Sequence, residues 1–192
     1  MIEALVFTAL VLIDVWSVHS RIFWSSVCGV FALVSLLAHR DSLGLSMPEF
    51  GAAVRAWRVP LTISAAAVAA GLLLKEHPLN LLLRGLVYFV WCIVQQILLQ
   101  HLVYRRLRVV LGATWTASLL AGVLFTVVHI PNPVLVPATF VWGTLATRLF
   151  EHRPSILAIA LLQALLSSLL IWLTPAAWNH QFRVGPGYWA YR

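Results

Sequence analysis

Residues 81–103 read LLLRGLVYFVWCIVQQILLQHLV, twenty-three residues with one formal charge, Arg84. As an α-helix this run extends about 35 Å, enough to cross a bilayer core of about 30 Å. Arg84 lies near one end, where a long side chain reaches the headgroups. The run therefore reads as a transmembrane helix. Its second half departs from the pattern, because Gln95, Gln96 and Gln100 stand among leucines and valines with His101 beside them.

The rest of the chain is built of similar material. Of its 192 residues 61% are apolar and 10% charged, whereas a soluble domain carries about a quarter of its residues as charges. So few charges could not cover a soluble core, and disorder requires the opposite composition. Further apolar runs cover residues 3–16, 22–38, 60–74, 114–130, 134–150 and 155–173. Together with 81–103 they predict an all-α polytopic bundle of about seven transmembrane helices. The first run lacks a basic leader and a cleavage site, so it reads as a retained helix rather than a signal peptide. Residues 39–58 contain Asp41, Pro48 and Glu49 and read as an amphipathic interfacial segment. The tail, 174–192, reads as extramembrane, with a turn at Gly185, Pro186 and Gly187 and an ordered stretch, 183–188, placed to fold over the external mouth. Residues 1–192 thus form a single membrane domain.

The net charge of +7 would suggest nucleic acid in a soluble protein. Here the basic residues occupy short gaps between apolar runs, which is a topology signal, and nucleic acid is not an expected partner. Arg40, Arg55, Arg58, Arg105, Arg106, Arg108, Arg148 and Arg153 share one side, eight of the thirteen basic residues. That side is expected to face the cytoplasm together with the amino terminus, in a plasma membrane of bacterial type. Tryptophans such as Trp24, Trp91, Trp115, Trp142 and Trp178 fall mostly near span ends, as an interfacial belt would. Cys28 and Cys92 lie on separate spans and supply no disulfide framework.

Polar side chains inside spans are the informative feature, because hydrocarbon offers them no partners. Gln96 and Gln100 are four residues apart and share a helix face; Gln95 lies about 100° round from Gln96. Gln163 and Ser167 are again four apart, and His129 ends the span before a break at Pro131 and Pro133. Three helices each present a polar stripe at similar depth. One reading is a shared polar centre. The other is interhelical hydrogen-bond glue, worth on average about 0.6 kcal/mol per contact.

The stretch from Trp91 to Gln100 resembles the first motif of the CPBP family, the CAAX proteases and bacteriocin-processing intramembrane endopeptidases, which has Glu-Glu-x-x-x-Arg. Phe125-Thr126-Val127-Val128-His129 matches the second motif, Phe-x-x-x-His, and Gln163 with Ser167 aligns with the third, a His followed by a small polar residue. The resemblance covers about residues 80–173 and implies a CPBP-type core there. Only the second motif is intact. Gln95 and Gln96 replace the paired glutamates, Gln100 the arginine and Gln163 the third-motif histidine. In the family a glutamate activates water and histidines position water or steady the oxyanion. An amide cannot take the proton from water, though it can orient water or donate to an oxyanion. The resemblance thus leaves enzyme activity open, with His129, Gln95 and Gln96 as catalytic candidates and Gln100, Gln163, Asn132 and Ser167 as substrate-binding candidates.

Two further residues compete for the missing role. Asp14 is an ionisable group within the first span. Cys92 lies one turn before Gln96, and a Cys-His pair would need no glutamate; buried cysteine more often packs as a small hydrophobe. No metal is expected, since His129 alone cannot hold zinc, and no cofactor is called for. The expected function is binding of a membrane-anchored or lipid-modified peptide, with its cleavage left open. The alternative is a catalytically silent relative serving as an immunity or scaffolding protein.

Overall fold

The computed structural model describes residues 1–17, 19–39, 43–74 and 78–190. Arg40, Asp41, the 75–77 part of the loop after the third apolar run, and Arg192 lie outside them. Every regular element among the described residues is helical: α1 (Ile2–Trp16), α2 (Arg21–His39), α3 (Met47–Ala56), α4 (Arg58–Leu73) and α5 (Pro78–Ile97) come first. A π-helical segment, Leu98–Tyr104, then leads into α6 (Arg105–Leu111). After these come α7 (Trp115–Val127), α8 (Leu135–His152) and α9 (Ile156–Leu173). The tail holds α10 (Ala176–Asn179), a 3-10 turn (His180–Phe182) and α11 (Pro186–Trp189).

By length and composition three stretches suit a membrane crossing: Arg21–His39, Leu79–Leu111 and Ile156–Leu173. A fourth arises if α3 and α4, bent at 86°, count as one broken span. α7 is apolar but shorter. The polar break expected at 104–108 is instead helix, and Leu79–Leu111 runs through 33 residues. The reason is local: no glycine or proline interrupts the chain there until Gly112, which takes a positive φ of 72° and ends α6.

The other boundaries also follow from side chains. Ser46 accepts from the Glu49 amide at the start of α3, Thr114 from the Ala117 amide at α7, and Ser155 from the Ala158 amide at α9. Each satisfies one of the amide donors that a helix start leaves open. Gly44, at φ 64°, brings its carbonyl to the Ile156 amide at 2.9 Å; a Cβ there would lie 2.5 Å from the Pro154 oxygen. That loop is thereby fastened to the entry of α9.

α7 and α8 form a hairpin whose close approach depends on small residues. A Cβ on Gly143 would stand 3.1 Å from the Gly122 Cα, and one on Gly122 would collide with the Thr144 hydroxyl. Such small-residue contacts let helix backbones pack where no hydrophobic force drives association. α1 pairs with α2 through Phe7 and Phe31, with ring centroids 6.2 Å apart. At one end of the bundle Glu3 pairs with Arg106 at 3.1 Å and accepts from Ser35. There too Glu151 accepts from the Tyr104 hydroxyl at 3.1 Å and pairs with Arg108 at 3.0 Å. The opposite end carries the carboxyl terminus of α1, the 129–133 break and the tail.

Candidate functional site

The long helix widens where its polar residues begin. Gln95 and Gln96 occupy the last turn of α5, and Gln100 falls within the π segment. A π turn shifts the side chains that follow it and is found preferentially at functional positions. Gln96 and Gln100 are 0% exposed and Gln163 is 5% exposed. Buried so deeply, such amides call for hydrogen-bond partners within the bundle.

They find one another. The Gln100 Nε2 donates to the Gln96 Oε1 at 2.9 Å, and the Gln96 Nε2 donates to the Gln163 Oε1 at 2.5 Å. The Gln163 Nε2 then donates to the Gln95 Oε1 at 2.7 Å. A fourth donor enters from α8, where the Trp142 Nε1 reaches the same Gln163 Oε1 at 3.1 Å. Long helix, α8 and α9 are thus joined at mid-depth by neutral hydrogen bonds alone.

Half-buried Gln95 and buried Gln163 lie on the wall of a cavity of about 1030 Å³. Its walls are mostly aliphatic and aromatic, with Tyr88, Trp142 and Ser167 near the amides and Asp14 and His129 also on the lining. The His129 Nδ1 lies 2.7 Å from the Phe125 carbonyl oxygen. A carbonyl only accepts, so Nδ1 carries the proton in the neutral ring and Nε2 is the basic nitrogen. The Phe125 ring meets the imidazole edge-on, centroids 4.9 Å apart, and holds its plane. No hydrogen bond links His129 directly to the amides among the described residues.

The other candidates are placed as follows. Ser167 lines the cavity and neighbours the Tyr88 hydroxyl. Cys92 is buried between α5 and α9 against Ala160 and Ala164, with Tyr88 packed beside it, rather than on the cavity wall. Asp14 accepts from the Ser25 hydroxyl at 2.7 Å and is, among the described residues, the one carboxylate on the cavity lining. Asn132 is fully buried and committed to the backbone. Its Nδ2 donates to the carbonyls of Asn179 at 2.7 Å and Arg183 at 3.1 Å, and its Oδ1 accepts from the amides of Val134 and Leu135. It caps α8 and fastens the tail.

Trp142 and Tyr88 are the site residues that the sequence did not single out. Trp142 reads there as one more belt tryptophan, yet it sits in the interior of α8 and bonds inward. The tail was also more than an appendage: Phe182 and Val184 line the cavity, and the Gly185 amide donates to the Ile130 carbonyl at 2.9 Å. Among the described residues no three His, Cys, Asp or Glu side chains gather as metal ligands. One imidazole among neutral amides does not match a zinc donor set, and no step is derived through a metal.

Residues 77–169 match the family model described as Type II CAAX prenyl endopeptidase Rce1-like. No curated protein and no solved structure matches the chain. The apolar helices and this family make it an integral membrane protein with a CAAX-protease-like peptidase fold. The matched stretch holds His129, Gln95, Gln96, Gln100, Gln163 and Trp142, and the match supports the chain's assignment to the CPBP family of intramembrane endopeptidases.

Proposed function

We propose that the protein binds a membrane-anchored or lipid-modified peptide in this cavity. The observation that carries the reading is the junction of two surfaces: an apolar hollow of about 1030 Å³ and, on its wall, the amides of Gln95 and Gln163. The hollow suits a hydrocarbon chain or apolar helix segment, and the few polar groups suit the peptide backbone attached to it. Gln100, Gln96 and Gln163 hold the polar wall in place, with Ser167 beside it. The core at 80–173 and the tail at 174–192 form a single membrane domain, with the tail over the end where His129 lies. Counting α1, α7 and α8 among the crossings gives seven spans. Arg55, Arg105, Arg106, Arg108 and Arg148 gather at the end that carries the start of α1, which favours a cytoplasmic amino terminus in a bacterial-type plasma membrane.

A second reading, hydrolysis, is favoured by the His129 tautomer. An Nε2 held unprotonated by the Phe125 carbonyl can take a proton from water, a role that no amide can fill. Gln95 and Gln96 would then orient water or carbonyl rather than act as bases. Asp14 is the carboxylate candidate on the same lining, and Cys92 the nucleophile candidate behind it. Without hydrolysis the chain is a binding relative, an immunity or scaffolding protein.

The test uses the full chain in vesicles with a synthetic peptide carrying an S-farnesyl cysteine and a photo-crosslinker at Leu166. Binding predicts saturable crosslinking that unlabelled peptide competes away; crosslinking that never saturates removes the proposal. Mass spectrometry of the same mixture reads cleavage. Product from the wild type and none from His129→Ala supports hydrolysis, whereas equal product from both rejects His129 as its base.

A further inference from the structure

The four-amide network has a direction, and one side chain sets it. The indole N–H of Trp142 can only donate. The Gln163 atom that it meets at 3.1 Å is therefore the oxygen, and the Gln163 nitrogen must point the other way, at Gln95. Facing an Oε1, Gln96 must present its nitrogen, which turns its own oxygen to the Gln100 nitrogen. Every amide orientation in the network follows from Trp142. At the buried end the chain of bonds stops on the Gln100 Oε1, which has no hydrogen-bond partner among the described residues. At the cavity end it stops on Gln95, whose Oε1 already accepts from Gln163 and whose Nε2 has no protein partner among the described residues.

Bonds aligned donor to acceptor polarise one another, so the last N–H of such a series is a stronger donor than an isolated amide. We infer that Trp142 is a positioning residue which fixes the Gln95 Nε2 as a hydrogen-bond donor toward the cavity, so that the site selects ligands offering a bare acceptor such as a peptide carbonyl. A ligand offering only an N–H gives the Gln95 Nε2 no acceptor and leaves that donor unsatisfied in an apolar surround. This rests on the cavity being the ligand site, as proposed above, and adds the polarity of its recognition.

Four of the five glutamines in the chain belong to the network, so selective labelling of glutamine side-chain nitrogen gives a small spectrum in which each can be followed. Two neutral probes of similar length separate the outcomes in nanodiscs: N,N-dimethyldodecanamide, which only accepts, and 2-decylpyrrole, whose N–H only donates. The wild type should bind the amide at least about tenfold more tightly, the size expected when one buried polar group loses its partner. The Gln95 side-chain signal should shift on saturation. Gln95→Leu should erase the preference while apolar binding of both probes persists. Trp142→Phe keeps the ring and removes the donor, and it should narrow the preference severalfold; general loosening of the fold would weaken both probes alike and leave their ratio unchanged. Equal affinities in the wild type, or a preference that survives Gln95→Leu or Trp142→Phe unaltered, would overturn the inference. The farnesyl-peptide assay is independent of these ratios, so loss of the polarity claim and loss of the peptide-binding claim give different results.

Discussion

Gln163 is the hub of the site: its oxygen accepts from Gln96 and Trp142, and its nitrogen supplies Gln95. Replacing it with leucine keeps the volume and leaves those three groups without their partner. Losses of about 1–3 kcal/mol per orphaned buried group are usual in soluble proteins, while polar contacts in membranes average about 0.6 kcal/mol. For Gln163→Leu we expect a net loss of about 2 kcal/mol, read as an earlier midpoint in denaturant titrations in detergent. Among the described residues Ser168 donates only to the Ala164 carbonyl one turn back in its own helix, so Ser168→Ala should stay within about 0.5 kcal/mol of wild type. A Gln163→Leu protein as stable as Ser168→Ala would mean that the network contributes nothing to folding. The sequence displays the paired amides openly, because glutamine inside a hydrophobic run contradicts its surroundings. Trp142 gives no such signal: tryptophan is at home both in a belt and in a core, and periodicity does not tell which way an indole N–H points.

At the scale of elements, most helices are legible from apolar runs and their caps, and the misreadings have physical causes. The run Tyr104 to Arg108 looks like a loop because charge is costly in hydrocarbon. Once Arg106 finds Glu3 and Arg108 finds Glu151, nothing in the backbone prevents the helix from continuing. The π segment cannot be read from sequence, since Leu98 to Tyr104 would serve equally well in a regular α-helix. The α7–α8 hairpin depends on Gly122 and Gly143, and neither residue distinguishes a packing glycine from a flexible one until the partner is seen. Valine at position 122 would strike Thr144 and the Phe140 carbonyl. We expect Gly122→Val to separate the hairpin at a cost of about 1–3 kcal/mol and to move Phe125, and with it His129. Thermal unfolding in detergent measures the first effect, and the His129 ring resonances in NMR report the second. Unchanged values for both would show that the two helices do not need their close approach.

The whole molecule has two unlike ends. One is a lattice of ion pairs about Glu3, Arg106, Arg108 and Glu151; the other carries a folded tail whose Phe182 and Val184 line the cavity. The tail is held by the two side chains of Asn132 and Asn179, by the Gly185 amide on Ile130, and by the close seat of Gly185 against Val15. Three successive residues, His180, Gln181 and Phe182, take positive φ. Non-glycine residues accept this at a cost of roughly 1–2 kcal/mol each only where their surroundings impose it. Deleting residues 175–192 should therefore expose the cavity at that end. Modification of His129 by diethyl pyrocarbonate, followed by peptide mass mapping, should become severalfold faster; an unaltered rate would mean that the tail does not cover it. An ordered turn folding over this mouth is legible in the sequence of 183–188, whereas the residues that fasten it, Asn132 and Ile130, lie more than forty positions away and give no local sign.

Carboxamides neither gain nor lose protons across the acidity range in which proteins remain folded. Where related sites carry paired glutamates, this one carries groups whose hydrogen-bonding pattern stays the same in an acidified compartment as in a neutral one. The amides of Gln95, Gln96, Gln100 and Gln163 are thus blind to the acidity on either side of the bilayer that surrounds them.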